Sequence, residues 1–466
     1  MKNISTSGRW PRLALGLMTL TIGGCTMHPR GEGRLRAAAA REGQIYKLAA
    51  AQHTPPPLPI SPTPRELVTY ALINSPAVES AYWRWRAAIE VIPQAGTEMT
   101  TPMLSGNLGL VNGSYSGANS SVGIANMGSS DIRWPSKPAA DAKIALEKAR
   151  AAEWQFRERQ FALREAVLTA WNRLIAARAV LALARRQKNL DVSLVNLAQT
   201  RLTTGGQSSS GYLETLNAVT LLKLHIAALR RELPRREIAI NNLLNRSPMK
   251  TILAPAAFPA IAPQRWTMAH LIRLAARRNP QLHEFAWTRR ANKIQIQRAM
   301  MQYIPNFDLG AVTSLDGITQ NFEGAVMFPI VRYQAINAAI REARFNLRRT
   351  ESRMQQTKTE LASRLAIDLV MLQSDRVQLA FFSGRLLPRI RQMEHFSRVS
   401  MMQGSGGLIS NLMAQKTVLK LREMELDLRV DQADRLADIE TIVARPLELI
   451  AKSKKGGPMP KAAAKP

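Results

Sequence analysis

The chain is poor in the residue types that form extracellular cross-links, metal sites and catalytic centres. It has 466 residues and a single cysteine, Cys25, so it can form no internal disulfide and must be stabilised by packing. Its six histidines include no pair at ligand spacing, and the sequence therefore predicts no metal site and no cofactor. No serine, histidine and acid share a recognisable nucleophile context, so we expect the protein not to be an enzyme.

Long apolar runs are also missing. After the N-terminal region, no segment has eighteen uninterrupted apolar residues, which argues against transmembrane helices. Hydrophobic residues nevertheless make up 46% of the chain, enough for a sizeable apolar interior. If this protein crosses a membrane, we expect it to do so with strands.

Acidic residues are scarce beside basic ones. There are 34 Asp and Glu against 64 Lys and Arg, a formal net charge of +30. Such an excess is compatible with binding to nucleic acid or to anionic lipid, and also with a basic protein of the cell envelope. Nucleic-acid modules concentrate basic and aromatic residues on one element, whereas here the basic residues are spread along nearly every predicted helix. We therefore expect no nucleic-acid partner, and a basic nucleic-acid-binding envelope protein is the weakest reading.

The N-terminus has the layout of a secretory signal, with basic residues before a short apolar run at 13–22. This run is too short to span a bilayer stably. The "IGGC" at 22–25 resembles a bacterial lipobox, which implies removal of residues 1–24 and acylation of Cys25. Thr26 stands where an inner-membrane retention signal would have Asp, which favours the outer membrane. The alternative is an ordinary signal peptide in which a cysteine happens to follow small residues.

The most informative feature is an internal repeat of about two hundred residues. "LVTYALINSPAVESAYWRW" from Leu67 recurs as "LIRLAARRNPQLHEFAWTR" from Leu271, and Pro76 aligns with Pro280 at the same offset. The predicted organisation is a signal (1–24), a lipidated Pro-rich linker (25–62), a first repeat (63–250), an inter-repeat linker (251–265), a second repeat (266–450) and a disordered basic tail (451–466).

Each repeat continues with two runs of period-two alternation around a turn, which predicts one β-hairpin per repeat. The four predicted strands, of about ten residues each, are long enough to cross a bilayer at a tilt. Unpaired strand edges are costly in hydrocarbon, so several copies of the chain must share one closed barrel. The candidate lipid-facing positions are Leu104, Leu108, Leu110, Phe307, Leu309, Phe322 and Val326.

A very long helix is predicted after each hairpin. Between Pro138 and Thr204 there is neither proline nor glycine, which allows a helix of roughly 100 Å. Apolar residues repeat every seven positions along both helices, as expected of a coiled-coil seam. The first seam comprises Trp154, Phe161, Leu168, Ile175 and Ala182, and the second comprises Leu365, Leu372, Leu379, Leu386 and Met393. Pro234 and Pro388 fall inside helical runs and are expected to kink or break them.

Both long helices end at glycine-rich breaks, after which a helix returns. These breaks predict helical hairpins with small-residue tips. The tip residues are Thr204, Gly205 and Gly206 in the first repeat and Gly404, Gly406 and Gly407 in the second. On the helices alone, a structural periplasmic coiled coil would fit equally well. The paired strand hairpins argue against that alternative, because a plain coiled coil has no use for them.

The order of these elements resembles the outer-membrane efflux protein family, the TolC-like outer membrane factors. The resemblance covers roughly residues 63–450. It includes the openings "NSPAVESA" and "RNPQLHEF", the tip stretches "GYLETLNA" and "GLISNLMAQ", and the closing runs "NNLLNRSP" and "ETIVARP". The segments "WPSKPAADA" and "FPIVRYQAI" depart from the Leu-Phe-Asp-Gly-Gly-Arg type that the family often has before its long helices.

The resemblance implies a mainly α fold with a small membrane β-barrel portion. It implies a homotrimer in the bacterial outer membrane, with a long periplasmic α-helical barrel that continues a shared twelve-stranded β-barrel. Together with the lipobox at Cys25, it leads us to expect a lipid-anchored protein. Its implied function is a passive conduit in a tripartite efflux or secretion system. Its tips would dock on a periplasmic adaptor linked to an inner-membrane pump. The alternative is a structural periplasmic coiled-coil lipoprotein without a pore. Whether the basic excess lines the lumen or the outer wall stays open.

Overall fold

The fold is described by a computed structural model, which covers residues 27–46, 57–97, 103–111, 114–116, 119–125, 132–206, 208–255, 258, 266–314, 320–327, 332–402 and 408–446. These residues are mainly helical. The helices are α1 Glu32–Glu42, α2 Pro64–Asn74, α3 Pro76–Gly96, α4 Ser136–Thr203, α5 Ser209–Leu243, α6 Met268–Arg278, α7 Pro280–Met300, α8 Tyr333–Phe381, α9 Leu387–Met402 and α10 Leu408–Val443. The strands are β1 Met103–Asn107, β2 Leu110–Val111, β3 Ser114–Tyr115, β4 Ser121–Ala125, β5 Asn306–Ser314 and β6 Gln320–Met327.

The internal repeat is visible in matching helix pairs. Helices α2 and α6 have 11 residues each, and α3 and α7 have 21 each. The junction within each pair is capped in the same way. The Ser75 hydroxyl accepts a hydrogen bond from the backbone N–H of Val78 at 3.4 Å, and the Asn279 side-chain oxygen accepts one from Leu282 at 3.2 Å. Polar residues before the two prolines thus start α3 and α7 alike.

The repeats also close alike, at the ends of α5 and α10. Asn245 and Ala444 adopt left-handed backbone conformations, with φ of 51° and 52°. The following N–H groups donate back across the last turn, Arg246 to the carbonyl of Asn241 at 3.1 Å and Arg445 to that of Glu440 at 3.2 Å. This is the Schellman pattern of helix termination. The shared Leu/Ile/Val run before a proline therefore corresponds to a shared helix end.

The described residues divide into two compact units. The first comprises the described parts of Met1–Gln44, Tyr82–Gln155 and His283–Gln355, and the second those of Ile45–Ala81, Phe156–Leu282 and Gln356–Pro466. The first contains all six strands and the second contains both helical hairpins. The two units do not coincide with the two sequence repeats, because each unit takes part of both.

Two apolar clusters hold the second unit together, and the repeated leucines lie at equivalent places in them. Leu67 is fully buried with Trp171 and Ile240, and Leu271 is fully buried with Leu365 and Ile439. Burying a leucine side chain contributes about 1.5–3 kcal/mol. The positions that match between the repeats are therefore core positions.

The predicted seams need correction where the long helices change partners. In α4, Ile175 is buried but Ala182 is exposed, because Leu181 and Ala184 face Leu222 and Ile226 of α5 instead. After α8, Leu386 and Met393 are 38% and 50% exposed. A π-helical turn, Phe382–Leu386, separates α8 from α9. Its extra residue per turn shifts the apolar register by one, so that Leu387 is buried at 6% exposure.

The prolines have different effects on the helices. Pro234 lies inside α5, which continues through it from Ser209 to Leu243. Pro388 is the second residue of α9, directly after the π-helical turn. The chain therefore stays helical at both prolines, with a change of helix type just before Pro388, and a kink at either proline stays a prediction.

One described helix, α4, is long and apolar enough for a membrane span by length and composition. An 18-residue window in it has a mean hydropathy of 1.4, and 28% of that window is buried. The sequence analysis required an uninterrupted run of apolar residues. It therefore overlooked this window, because the hydropathy criterion allows up to two charged residues in the window. Core helices of soluble proteins pass the same test, and Val167, Trp171 and Leu174 of α4 lie in the core of the second unit.

Candidate functional site

The strands of both repeats join in one antiparallel sheet, in the order β1-β4-β5-β6. Each repeat contributes one hairpin, as the sequence predicted, and β4 pairs with β5 to connect them. The strands have 5, 5, 9 and 8 residues, so those of the first repeat are shorter than the ten expected. Among the described residues, β1 and β6 each pair on one side only. In the part of the chain that the structure describes, the sheet therefore has two open edges.

The register places apolar positions of all four strands on one face. Leu104 pairs with Ile124, Ile124 with Ala311, and Ala311 with Phe322. Leu309 pairs with Gly324 and Phe307 with Val326, two and four positions farther along the same face. Five of the seven predicted lipid-facing positions therefore share one face of the sheet by register.

Exposure is described for four of those seven positions. Val326 is 56% exposed; Leu108, just before the small β2-β3 ribbon, is 73% exposed, and Leu110, at its start, is 69% exposed. Phe307 is partly buried, and its ring lies edge-on to Trp134 at a centroid distance of 6.0 Å. Exposed apolar side chains that cluster on a surface mark sites of contact with a membrane or another protein.

The bases of the strands are fixed by polar contacts that the sequence did not single out. Lys137 is only 5% exposed, and its Nζ donates to the carbonyl oxygen of Ile304 at 2.7 Å and to the Asn306 side chain. Asp141 bridges two guanidinium groups, at 3.2 Å from Arg133 and 2.8 Å from Arg298. Lys137 belongs to the "WPSKPAADA" segment, which departs from the family pattern. That departure was the one feature of the sequence that could have pointed to these contacts. These contacts hold the start of α4 against the start of β5.

The N-terminal segment is attached near the start of β1. The N–H of Met27 donates to the carbonyl of Gly96, the last residue of α3, at 3.0 Å. A Cβ at Gly96 would lie 2.5 Å from the Met27 oxygen, so only glycine allows this approach. Cys25 itself lies outside the described residues, two positions before Met27.

The first helical tip ends α4 with a glycine in the left-handed region. Gly205 has φ of +73°, and the N–H of Gly206 donates to the carbonyl of Arg201 at 2.8 Å. Thr204 turns its hydroxyl back to the carbonyl of Thr200 at 3.1 Å. Ser208 then caps α5 by accepting from the N–H of Gly211 at 3.3 Å. The three predicted tip residues of this repeat therefore lie together at the turn.

The predicted tip residues of the second repeat, Gly404, Gly406 and Gly407, lie outside the described residues. The helices on either side of them, α9 and α10, are linked by a hydrogen bond of 3.0 Å between the Ser397 and Ser410 hydroxyls. Beside this link, a groove of about 510 Å³ is lined by Met393, Phe396 and Met413, whose exposures are 50%, 69% and 50%. An apolar surface therefore lies next to the second tip.

A polar cluster interrupts the apolar seam between α8 and α10. Asp375 is 4% exposed and lies 3.1 Å from the guanidinium of Arg435. Asp368, one heptad earlier, is 8% exposed, and its Oδ2 has no hydrogen-bond partner among the described residues. Burial and the neighbouring Asp438 carboxylate raise the pKa of Asp368 to about 7. The heptad pattern predicted a seam here, but not the carboxylates within it.

The described residues contain no group of three or more His, Cys, Asp or Glu positioned to hold a metal ion.

Comparison with known proteins identifies the fold. No protein-family model matches the chain, and no curated protein matches it. Solved structures do match. The outer membrane protein VceC from Vibrio cholerae is 15% identical, with a TM-score of 0.65 over 82% of this chain and 96% of VceC.

Two structures described as outer membrane channels match as well. The open state of MtrE from Neisseria gonorrhoeae is 15% identical, with a TM-score of 0.66 over 82% of this chain and 89% of MtrE. CmeC from Campylobacter jejuni is 11% identical, with a TM-score of 0.66 over 88% of this chain and 94% of CmeC. The resemblance indicated by the sequence is thereby confirmed at the level of the fold.

Proposed function

We propose that this chain is the outer-membrane channel subunit of a tripartite efflux or secretion system. Three copies would pool their four-stranded sheets into a twelve-stranded barrel, and their long helices would form a periplasmic tube. The subunit performs no chemistry. An adaptor would open the tube, and an inner-membrane pump would supply the energy.

The observation that carries this proposal is the sheet built from both repeats. Its two outer strands, β1 and β6, pair on one side only among the described residues, and one face carries the apolar positions. In hydrocarbon each unpaired backbone group costs several kcal/mol, so such a sheet is stable there only when its edges are joined. Membrane barrels need at least about eight strands, which one copy cannot supply. The fold shared with structures described as outer membrane channels supports the same function.

The attachment of the N-terminal segment supports a lipid anchor at Cys25. Met27 is hydrogen-bonded to Gly96, and β1 starts seven residues after Gly96. Acyl chains on Cys25 would therefore enter the membrane close to the barrel. The lipid anchor and the barrel would then attach the same part of the chain to the membrane. We propose residues 1–24 as the removed signal and 25–62 as the lipidated linker.

The tips support docking to an adaptor. The first tip is a tight turn of small residues with nothing within 4 Å of a Cβ added at Gly205. Leu213 beside it is 53% exposed, and Phe396 near the second tip is 69% exposed. We propose that Thr204, Gly205, Gly206, Gly404, Gly406 and Gly407 contact a periplasmic adaptor.

The decisive experiment measures assembly and conduction of the purified protein. We expect it to require detergent, to have a mass three times that of one acylated chain, and to carry current in planar lipid bilayers. A reversal potential measured across a salt gradient would then show whether the basic residues line the lumen, since lumenal arginines would favour anions. A monomer in mild detergent that passes no current would contradict the proposal.

The Cys25→Ser variant separates the channel from its alternative, a structural coiled-coil lipoprotein. If the strands form a barrel, the variant loses its acyl chains but still needs detergent and still forms trimers. A spacer held only by its lipids would become soluble without detergent and nearly all helical. The matched control is Ser114→Ala, an exposed position in β3 that leaves acylation intact.

A further inference from the structure

The seam of α8 places two aspartates where a coiled coil normally has apolar residues. Leu361, Asp368 and Asp375 follow one another at seven-residue intervals, and Leu365 and Leu372 alternate with them. All five are buried, with Asp368 at 8% and Asp375 at 4% exposure. A polar residue at a seam position reduces stability unless its polar groups are paired. The partners of the two aspartates therefore decide what each does.

The two aspartates have opposite surroundings. Asp375 receives a guanidinium hydrogen bond of 3.1 Å from Arg435 of α10, which compensates its charge. Among the charged groups around it, Asp438 of α10 acts most strongly on Asp368, and the two carboxyl groups lie within hydrogen-bonding reach of each other. Asp438 is itself paired with Arg364, one turn before Asp368. Arg364 is thus paired with Asp438 and Arg435 with Asp375, and Oδ2 of Asp368 has no partner among the described residues.

The charged groups around Asp368 come from three helices. Helix α8 contributes Arg364, α10 contributes Arg435 and Asp438, and the field of the two arginines only partly offsets burial and the Asp438 charge. From α4, Glu165 lies close enough to Asp438 and Arg364 to interact with both. Helix α6 packs beside this cluster through the apolar residues Leu271 and Ala275.

Two carboxylates in contact repel each other, and neither can donate a hydrogen bond. If one of them holds a proton, the repulsion is replaced by an O–H···O⁻ hydrogen bond, which is stronger than a neutral one. Because Arg364 stabilises the ionised form of Asp438, the proton belongs on Asp368. Burial acts in the same direction, since it disfavours a charge on the less exposed group.

We propose that Asp368 and Asp438 form a proton-binding site that joins α8 to α10. With the proton bound, Asp368 donates to Asp438 and the seam is closed by a hydrogen bond. Without it, two like charges face each other inside the seam and weaken the contact between the helices. The pKa of Asp368, raised to about 7 by burial and by Asp438, places this change near neutral pH.

The direction of the pH effect follows from the raised pKa. The unfolded carboxyl titrates near 3.8, so between pH 4 and pH 7 the folded state holds a proton that the unfolded state has lost. Stability therefore falls as pH rises through this window and changes little above it.

The test compares Asp368→Asn with Asp375→Asn in the full-length, detergent-solubilised protein. Asparagine mimics the protonated acid and can donate to Asp438, so Asp368→Asn should melt several degrees higher than the unsubstituted protein at pH 8. Its decline in Tm between pH 5 and pH 8 should be smaller. Asp375→Asn is the matched control, because it lies one heptad away and is also buried. It loses the ion pair with Arg435 and should melt lower at pH 8.

Infrared difference titration gives a readout that folding effects do not mimic. The unsubstituted protein and Asp375→Asn should show a protonated carboxyl C=O band that disappears near neutral pH, and Asp368→Asn should lack it. Asp438→Asn removes the adjacent charge and should move this titration to lower pH. If no carboxyl band titrates between pH 5 and pH 8, or if it persists in Asp368→Asn, the proposal is wrong. None of these measurements depends on conduction, so the result is independent of the proposed channel function.

Discussion

At the scale of single residues, a few positions with unusual surroundings decide local structure. Lys137 is buried where it ties α4 to the start of β5, and Gly96 admits the N-terminal segment. Asp368 carries a carboxyl group into an apolar seam. The periodicity of the sequence does not predict the role of any of these residues, because each role depends on the residues that contact it in the folded chain.

Gly205 gives a residue-scale prediction about the first tip. Gly205→Ala should destabilise the turn by about 1–2 kcal/mol, because an L-residue is strained at φ of +73°. Hydrogen exchange of the amides at 200–212 should accelerate accordingly. Gly206→Ala is the control, since the nearest atom to its added Cβ is 3.7 Å away. Equal exchange in the two variants would mean that the left-handed conformation does not hold the tip.

At the scale of elements, the duplication makes the two halves comparable. Helices α2 and α6 are equally long, and Leu67 and Leu271 are equally buried. The seams are less regular. Helix α4 changes its packing partner from the core helices to α5, and a π-helical turn separates α8 from α9. Repetition of sequence thus yields repetition of packing only where the partners are also repeated.

The repeated leucines predict matched losses of stability. Leu67→Ala and Leu271→Ala should each reduce the free energy of unfolding by about 2–5 kcal/mol, because each leaves a cavity in its own core. Thermal unfolding followed by circular dichroism measures the loss. Leu221→Ala, at a leucine that is 66% exposed, is the control and should change Tm little. A small effect at only one of the repeated leucines would show that the two cores are not equivalent.

The strand register predicts a difference between the two faces of β6. Val326 and Asn321 are both exposed, but they lie on opposite faces of the same strand. Val326→Arg should impair membrane assembly at a cost of about 2–4 kcal/mol if the residue lies near the bilayer midplane. Asn321→Arg should assemble normally. The measured quantity is the fraction of the protein recovered from outer membranes as the proposed trimer. Equal recovery of the two variants would argue against a lipid-facing Val326.

At the scale of the whole molecule, burial dominates the titration of the carboxyl groups. It raises the pKa values of Glu147, Glu165, Asp427 and Asp434 as well as that of Asp368. Glu32 goes the other way, because hydrogen bonds from His28 and Arg36 outweigh burial and lower its pKa. Most shifted carboxyls thus bind protons more tightly in the folded state than in the unfolded one.

The predicted consequence is a stability that decreases as pH rises from about 4 to 7. In that window the folded state retains protons that the unfolded state has released, so the free energy of unfolding decreases. Thermal melts in buffers of constant ionic strength would measure it. Glu32→Gln is the control for the opposite sign, since the stabilisation by this carboxylate grows with pH only up to about its unfolded pKa of 4.5; the variant should lose stability at the acid end of the window and keep the decline above pH 5. A stability that rises across the window would contradict this account.

The sequence predicted much of this fold because the relevant signals are local. Glycine-rich breaks end helices wherever they stand, and alternation over Phe307 and Leu309 marks a strand in any context. The tip at Gly205 followed from residue type alone, since glycine is favoured in the left-handed region. The candidate site was less predictable. The pairing of β4 with β5, the burial of Lys137 and the contact of Asp368 with Asp438 join residues far apart in the chain.

The sequence by itself determined the duplicated order of elements, the long helices, the hairpins and the glycine turn of the first tip. It did so because helix ends, turns and amphipathic faces depend on neighbouring residues. Tertiary structure alone decided the order β1-β4-β5-β6, the shift of the seam after the π-helical turn, and the partners of Asp368 and Asp375. The two aspartates have the same side chain and lie on the same helix face. They differ because Arg435 reaches one of them and Asp438 reaches the other.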